Sequence, residues 1–215
     1  MNDLVIFDLD DTLLPLDSEF HFTKFIVSKG MLDKDFYLKK IKAFDRDYRS
    51  GNLNFNEYMK FLLFPLIGKD KETVDDLVIN FIENKKEILF DDLSYELLNN
   101  HKNEKLLIAS GALDFIVKGF ANFFGVKDFL GTKAEFIDNL VSGETEGEPN
   151  FDKGKLKNVK KWCNEKGFIL EESTFYTDSI HDLPLVEKCK NSILVSPDDN
   201  LREYATKNNL KIIDR

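Results

Sequence analysis

The chain is poor in the residues that stabilise small secreted proteins or cross membranes. Its two cysteines, Cys163 and Cys189, are too few and too far apart in sequence for a disulfide framework or a cysteine-ligated metal site. No apolar run approaches the ~20 residues that span a bilayer. A strand-like run starts almost at the N-terminus, without a basic segment or a cleavage site, so we expect no secretory signal. These absences favour a cytoplasmic protein without a membrane partner.

Positively charged residues are outnumbered by negatively charged ones. Lysine and arginine total 30 against 39 aspartates and glutamates, which gives a formal net charge of −9. Nucleic acid is therefore disfavoured as a partner, because a phosphate backbone requires a positive field. A small phosphorylated ligand remains possible, since one divalent cation and one lysine add about three positive charges locally, against a distant and screened surface. The oligomeric state is left open by the sequence.

Short apolar runs alternate with helical patterns along most of the chain. This alternation predicts an α/β fold with a doubly wound, Rossmann-like parallel sheet. The predicted strands are 4–7, 105–109, 174–177, 193–195 and 211–213, and the predicted helices between them are 91–100, 115–124 and 155–165. Residues 129–148 alternate in polarity and contain three glycines, which indicates strands of an antiparallel flap.

A polar, aromatic and helix-rich stretch interrupts this pattern at residues 16–87. Its apolar residues recur at helical spacing in four groups, and we interpret them as the core of a helical bundle rather than a base-stacking surface. The groups are Phe22, Phe25 and Ile26; Phe36, Ile41 and Phe44; Phe55, Tyr58, Met59 and Leu62; and Leu77, Val78, Phe81 and Ile82. We therefore predict a core formed by residues 1–15 and 88–215, with 16–87 as an inserted helical unit.

Two carboxylates follow the first predicted strand directly. Asp8 stands at its carboxyl end, where open α/β sheets bind ligands, and Asp10 follows two residues later. Such a pair would repel unless a cation lies between the carboxylates or one of them holds a proton. An ordinary turn or helix cap is the structural alternative.

The order Asp8-x-Asp10-x-Thr12 resembles the first motif of the haloacid dehalogenase (HAD) superfamily. Three later segments resemble the other motifs in the family's order, and they contain Ser110-Gly111, Lys155 and Asp178 with Asp182. The resemblance implies a HAD-like core in which 16–87 is the cap.

The same resemblance implies a role for each of these residues. Asp8 would attack phosphorus and become an aspartyl phosphate, while Asp10 would protonate the leaving alcohol and then activate water. Ser110 and Gly111 would contact the phosphate, and Lys155 would balance its charge. Lys153 is the rival for that lysine role. Asp178 would bind the metal, and Asp182 would orient a metal-bound water or Lys155.

The resemblance also suggests the cofactor and the substrate. Mg²⁺ would be held by Asp8, Asp178 and the backbone carbonyl of Asp10, since all candidate ligands are oxygen. Three segments resemble the phosphoserine phosphatase-like branch, which includes histidinol-phosphate phosphatases: Asp17-Ser18-Glu19, the Gly-Glu-Pro-Asn-Phe approach to Lys155, and Asp178 through Pro184. We therefore expect a magnesium-dependent phosphomonoester hydrolase acting on a small, amino-containing metabolite. Asp17 and Glu19 lie near the position where that branch binds an amine.

Three points remain open at this stage. A phosphotransferase differs only in that an alcohol replaces water, and a non-catalytic regulator on the same fold is a different class of function. Arg46 and Arg49 are candidates to bind a substrate carboxylate. His181 lies inside the fourth motif without an assigned role.

Overall fold

The chain forms a six-stranded parallel sheet and a small antiparallel hairpin. The computed structural model describes residues 3–215, apart from the side chain of Arg49. The strands are β1 (Leu4–Phe7), β2 (Lys105–Leu113), β3 (Asp128–Thr132), β4 (Ala134–Ile137), β5 (Leu140–Thr145), β6 (Thr174–Thr177), β7 (Asn191–Val195) and β8 (Lys211–Ile213). The parallel sheet has the order β3-β2-β1-β6-β7-β8, and β4 pairs with β5. The predicted doubly wound α/β fold is therefore confirmed.

Helices connect these strands and cover both faces of the sheet. They are α1 (Ser18–Ser28), α2 (Lys34–Arg49), α3 (Phe55–Leu63), α4 (Lys71–Leu89), α5 (Asp92–Asn100), α6 (Asp114–Phe124), α7 (Lys153–Lys166), α8 (Leu183–Val186) and α9 (Asp199–Asn208). The predicted helices 91–100, 115–124 and 155–165 correspond to α5, α6 and α7 within two residues at each end. Among residues 3–215, no helix is both long enough and apolar enough to span a bilayer.

The continuous apolar run of β1 is explained by burial on both faces. Val5 and Phe7 pack in one hydrophobic cluster, whereas Leu4 and Ile6 pack in the cluster on the other side of the sheet. Successive side chains of a strand point to opposite faces, so a central parallel strand requires apolar residues at every position. This arrangement fixes where β1 ends and where the polar residues after it emerge.

Two predictions about strands need correction. Residues 129–132 do not belong to an antiparallel flap, because β3 pairs in parallel with β2 at the edge of the main sheet and only β4 and β5 form a hairpin. In addition, β2 does not end before Ser110 but continues to Leu113, with a register shift after Ala109. Polarity alternation indicates an extended chain but does not reveal its partner strand.

Residues 16–87 form helices α1–α3 and most of α4, as predicted. Each begins at a side chain that accepts a hydrogen bond from a backbone N–H three residues ahead, and these caps are Asp17, Asp33, Asn54 and Asp70. Helix α4 packs on α6 and α1 contacts β2, while α3 contacts β5. Phe36 is an exception to the predicted core stripes, since it is 54% exposed. The limits 16–87 for a separate cap stay a prediction.

Candidate active site

The site residues predicted from the sequence converge on one cavity at the carboxyl ends of β1, β2 and β6. The cavity has a volume of about 90 Å³. Its lining includes nine of them: Asp8, Asp10, Asp17, Glu19, Ser110, Gly111, Lys155, Asp178 and Asp182. This placement follows from the parallel sheet, because its strands all deliver the residues after their carboxyl ends to the same edge.

A buried lysine joins two carboxylates at the floor of the cavity. The Lys155 Nζ atom lies 3.1 Å from Asp8 Oδ1 and 2.7 Å from Asp182 Oδ1. The Thr177 hydroxyl donates to Asp182 Oδ2 at 2.6 Å. Burial raises the pKa of Asp8 to about 6, although Lys155 opposes the shift. Burial opposes the charged form of Lys155 as well, but Asp182 and Asp8 outweigh it and raise its pKa above the ordinary value.

Close packing at Gly154 brings Lys155 to this position. A Cβ atom at Gly154 would lie 2.1 Å from the carbonyl oxygen of Pro149, so the start of α7 can approach that segment only with glycine here. Lys155 is 3% exposed, whereas Lys153 points into solvent. The structure therefore brings Lys155, and not Lys153, to Asp8.

Asp10 lies in an irregular turn that follows Asp8. The turn is closed by a hydrogen bond from Leu14 N to Leu9 O at 2.9 Å, and Asp11 adopts the left-handed conformation with φ of 51°. The Ser18 N–H donates to Asp10 Oδ1 at 2.7 Å. Burial raises the pKa of Asp10 well above its ordinary value, and the charge of nearby Asp17 adds to this. This environment favours the protonated form of the carboxyl group.

Asp178 stands beside the same turn. The Thr12 hydroxyl donates to Asp178 Oδ1 at 3.0 Å. Burial raises the pKa of Asp178, followed by repulsion from Asp8, Asp11 and Asp182. Several carboxylates therefore lie beside a single lysine, and a bound divalent cation would reduce the repulsion between them.

The oxygen ligands suit a hard cation such as Mg²⁺. Within residues 3–215, no three His, Cys, Asp or Glu side chains form a ready-made metal cage. A site with two carboxylates, from Asp8 and Asp178, and the backbone carbonyl of Asp10 does not need such a cage, because Mg²⁺ keeps several waters. These three residues could therefore hold the metal.

Ser110 is held by a small buried network that the sequence reasoning missed. The Ala112 N–H donates to Ser110 Oγ at 3.1 Å, a bond that uses an oxygen lone pair and not the hydroxyl proton. The fully buried Asn150 side chain donates to the Ser110 carbonyl at 2.8 Å. The signal for Asn150 was its place in the Gly-Glu-Pro-Asn approach to Lys155. At Gly111, a Cβ atom would make only an ordinary 3.6 Å contact with Phe151, so packing does not demand glycine there.

The part of the cavity lined by the start of α1 is acidic. Asp17 caps α1 by accepting from Phe20 N at 2.7 Å, and burial raises its pKa to about 6. Glu19 accepts from Leu113 N at 3.0 Å and is hydrogen-bonded to the Tyr58 hydroxyl. Burial, and then the charge of Asp17, raise the pKa of Glu19 to about 8. Glu19 and Asp17 both line the cavity. Glu19 is hydrogen-bonded to two protein groups, and Asp17 accepts a hydrogen bond from Phe20 N.

An aromatic wall closes one side of the cavity. It comprises Tyr48, Phe55, Phe151 and His181, whose neighbouring ring centroids are 4.5 to 4.9 Å apart along Phe55–Phe151–His181–Tyr48. The Tyr48 hydroxyl also bonds Ser179 Oγ at 2.8 Å. Phe55 and Tyr58, which we predicted as bundle core, both line the cavity.

The two arginines proposed to bind a carboxylate do not resolve into a site. Arg46 is exposed and does not line the cavity. The side chain of Arg49 lies outside the described part of the structure.

Comparison with known proteins agrees with this geometry. A model of the haloacid dehalogenase-like hydrolase family matches residues 5–187. The chain is 29% identical to a histidinol-phosphatase of Neisseria meningitidis over 211 residues, which are 95% of each protein. A solved structure of a protein of unknown function from Bordetella pertussis Tohama I has a TM-score of 0.89 at 26% identity, covering 100% of this chain and 99% of that one. A substrate-bound phosphoserine phosphatase shares the fold, with a TM-score of 0.73 at 19% identity and coverage of 100% and 94%. Since the family model matches most of its length, the chain belongs to the haloacid dehalogenase-like hydrolase family.

Proposed function

We propose that the protein is a magnesium-dependent phosphomonoesterase that acts on a small amine-bearing metabolite through an aspartyl-phosphate intermediate. The observation that carries the proposal is the buried contact between Asp8 and Lys155. It presents a carboxylate at the end of β1 beside a fixed cation that can balance the charge of a phosphoryl group. The cavity of about 90 Å³ suits a small leaving group and not a polymer.

In the proposed reaction, a carboxylate oxygen of Asp8 attacks phosphorus and the bond from phosphorus to the leaving oxygen breaks. Asp10, whose pKa is raised by burial, gives its proton to that leaving oxygen. Asp10 then takes a proton from water, and the water attacks the aspartyl phosphate to release inorganic phosphate and restore Asp8. The Ser110 hydroxyl donates to a phosphoryl oxygen throughout. Bound by Asp8, Asp178 and the Asp10 carbonyl, magnesium would supply further positive charge at the phosphoryl oxygens.

The charges around the cavity support an amine in the substrate. Asp17, with Asp11 and Asp45 near it, gives its part of the cavity a negative field that favours a cation. In the described part of the chain, Lys155 is the only lysine or arginine that lines the cavity. An amino alcohol phosphate needs no second cation for a carboxylate, and we rank it above phosphoserine. The name of the Neisseria relative, histidinol-phosphatase, supports the same ranking.

Steady-state kinetics with magnesium would test this proposal on histidinol phosphate, phosphoserine and an amine-free sugar phosphate. Asp17→Asn keeps the helix cap but removes the charge, and Asp33→Asn is a matched control because Asp33 caps α2 at an exposed position. We expect Asp17→Asn to raise KM for histidinol phosphate about tenfold, as for loss of one charged hydrogen bond. The sugar phosphate should be unaffected, and Asp33→Asn should resemble the wild type.

Two results would contradict the proposal at different levels. If the sugar phosphate had the highest kcat/KM and Asp17→Asn left all three substrates unchanged, amine recognition would be wrong. If none of a broad set of phosphomonoesters were hydrolysed, the phosphatase assignment itself would be wrong.

A further inference from the structure

Arg215 contacts two distant segments of the chain that lie beside the active site. Its Nη1 donates to the Leu14 carbonyl at 2.8 Å and its Nη2 to the Thr12 carbonyl at 3.0 Å. Its Nε lies 2.7 Å from Asp91 Oδ2. The backbone N–H of the same residue donates to Ser196 Oγ at 2.7 Å, which fixes the segment after β8.

The two contacted segments flank helices α1–α4 in the sequence. Thr12 and Leu14 belong to the turn after β1 from which the chain enters α1, and Asp91 precedes α5 just after α4 ends. One side chain therefore bridges the segments at the two ends of helices α1–α4. The Arg215 side chain is only 16% exposed, so these contacts are largely shielded from water.

The contact with Thr12 links Arg215 to the catalytic groups. While the Thr12 carbonyl accepts from Arg215, the Thr12 hydroxyl donates to Asp178. Asp10 lies in the same turn, two residues before Thr12. We propose that Arg215 is a positioning residue that holds this turn, and through it aligns Asp10 and Asp178 for the reaction. The chemical part of this inference rests on the proposed function.

An arginine suits this position better than a lysine. Its planar guanidinium presents donors in several directions at once, and here it serves two carbonyls and one carboxylate. The two carboxylate oxygens of Asp91 have different partners. Its Oδ1 accepts a hydrogen bond from Ser94 N, and its Oδ2 contacts Arg215. Burial opposes the charge of Asp91, but the Ser94 hydrogen bonds and Arg215 together lower its pKa.

The test compares Arg215→Ala and Arg215→Lys with the wild type by hydrogen–deuterium exchange and by kinetics. Arg202→Ala is the matched control, because Arg202 is an exposed arginine whose ion pair is with Asp214. In Arg215→Ala we expect the amides of Asp11 and Leu14 to exchange about tenfold faster, as for loss of a local restraint. We also expect kcat to fall about tenfold with KM nearly unchanged. Arg215→Lys should lie in between and Arg202→Ala should match the wild type.

Unchanged exchange of the 9–17 segment in Arg215→Ala would overturn the positioning role, whatever the activity. A rise in KM with unchanged kcat would also overturn the positioning role, since that would indicate that Arg215 acts in substrate binding. If Arg215→Ala did not fold, Asp91→Asn would serve, because it keeps the cap acceptor but removes the charge that Arg215 contacts; faster exchange at 9–17 is again the expected result. Absence of phosphatase activity in the wild type would refute the proposed function alone, because the exchange experiment does not depend on turnover.

Discussion

Lys155 Nζ lies 3.1 Å from Asp8 Oδ1 and 2.7 Å from Asp182 Oδ1, so two buried carboxylates share one buried cation. All three side chains are less than a tenth exposed. Removing the lysine would leave both carboxylates without a compensating charge in a poorly solvated site, which is costly. The same geometry orients Asp8, because Asp182 holds the lysine from the other side. The roles proposed for these residues lead to the following expectations.

Asp8→Asn should abolish turnover while the protein stays folded, because an amide is a poor nucleophile toward phosphorus. Activity should be measured with the preferred phosphomonoester, and secondary structure by circular dichroism. Acid-quenched wild type should carry phosphate on the peptide that contains Asp8. Asp76→Asn, at an exposed position of α4, is the control. Retention of more than a few per cent of wild-type activity in Asp8→Asn would refute the covalent mechanism.

Lys155→Ala should reduce the rate about 100-fold or more, since removal of an electrostatic donor at a reacting centre costs about 2–3 kcal/mol in the barrier. Lys153→Ala should have little effect, because Lys153 is exposed two residues away on the same helix. The measurement is kcat at saturating substrate, with thermal unfolding to check that both variants are folded. The opposite ranking would mean that the wrong lysine has been assigned.

Removal of divalent metal should eliminate activity. EDTA followed by dialysis should inactivate the enzyme and added magnesium should restore it, because Asp8 and Asp178 supply oxygen ligands for a hard cation. Asp178→Asn should raise the magnesium concentration required for half-maximal activity or remove turnover. Asp214→Asn, at the exposed ion pair with Arg202, should behave like the wild type. Full activity in chelator-treated protein would contradict metal dependence.

Stability should depend on pH through Glu19. Its pKa is raised from 4.5 to about 8 by burial and by Asp17, so between these values the folded state holds a proton that the unfolded state releases. This contribution to the free energy of unfolding is complete below about pH 4.5 and is lost as pH rises toward and through about 8.

Glu19→Gln keeps a neutral side chain at every pH and should remove that loss. In metal-free protein, urea unfolding should give similar stabilities for the variant and the wild type near about pH 4. At about pH 9 the variant should be more stable, by on the order of a few kcal/mol at most. Glu96→Gln, on the exposed face of α5, is the control. Equal pH dependence in Glu19→Gln and the wild type would show that Glu19 is not a buried neutral acid.

Two aromatic residues of α3 show what helical periodicity cannot predict. Phe55 and Tyr58 were predicted as bundle core from helical spacing, and Tyr58 is indeed buried, yet both line the cavity. A stripe of aromatic residues identifies the face that avoids water. It does not distinguish a face packed on a neighbouring helix from one that closes over a binding site, because both are shielded.

The sequence by itself determined the features that depend on neighbouring residues. The apolar runs predicted the parallel strands, the helical spacing of apolar residues predicted the helices of the insertion, and the order of the motifs identified Asp8, Asp10 and Asp178 as candidates. The spacing of buried residues and the hydrogen bonds of helix caps involve residues a few positions apart, so both can be inferred from the sequence.

Only the tertiary structure decided the relationships between distant segments. It brought Lys155 rather than Lys153 to Asp8, placed β3 in the main sheet, and showed that Asn150 and Arg215 hold backbone groups around the site. Arg215 lies 201 positions from the carbonyl of Leu14 that it contacts. No local sequence pattern indicates such a contact. The contact forms only when the sheet and the helices have packed together, so it depends on the stability of the whole fold.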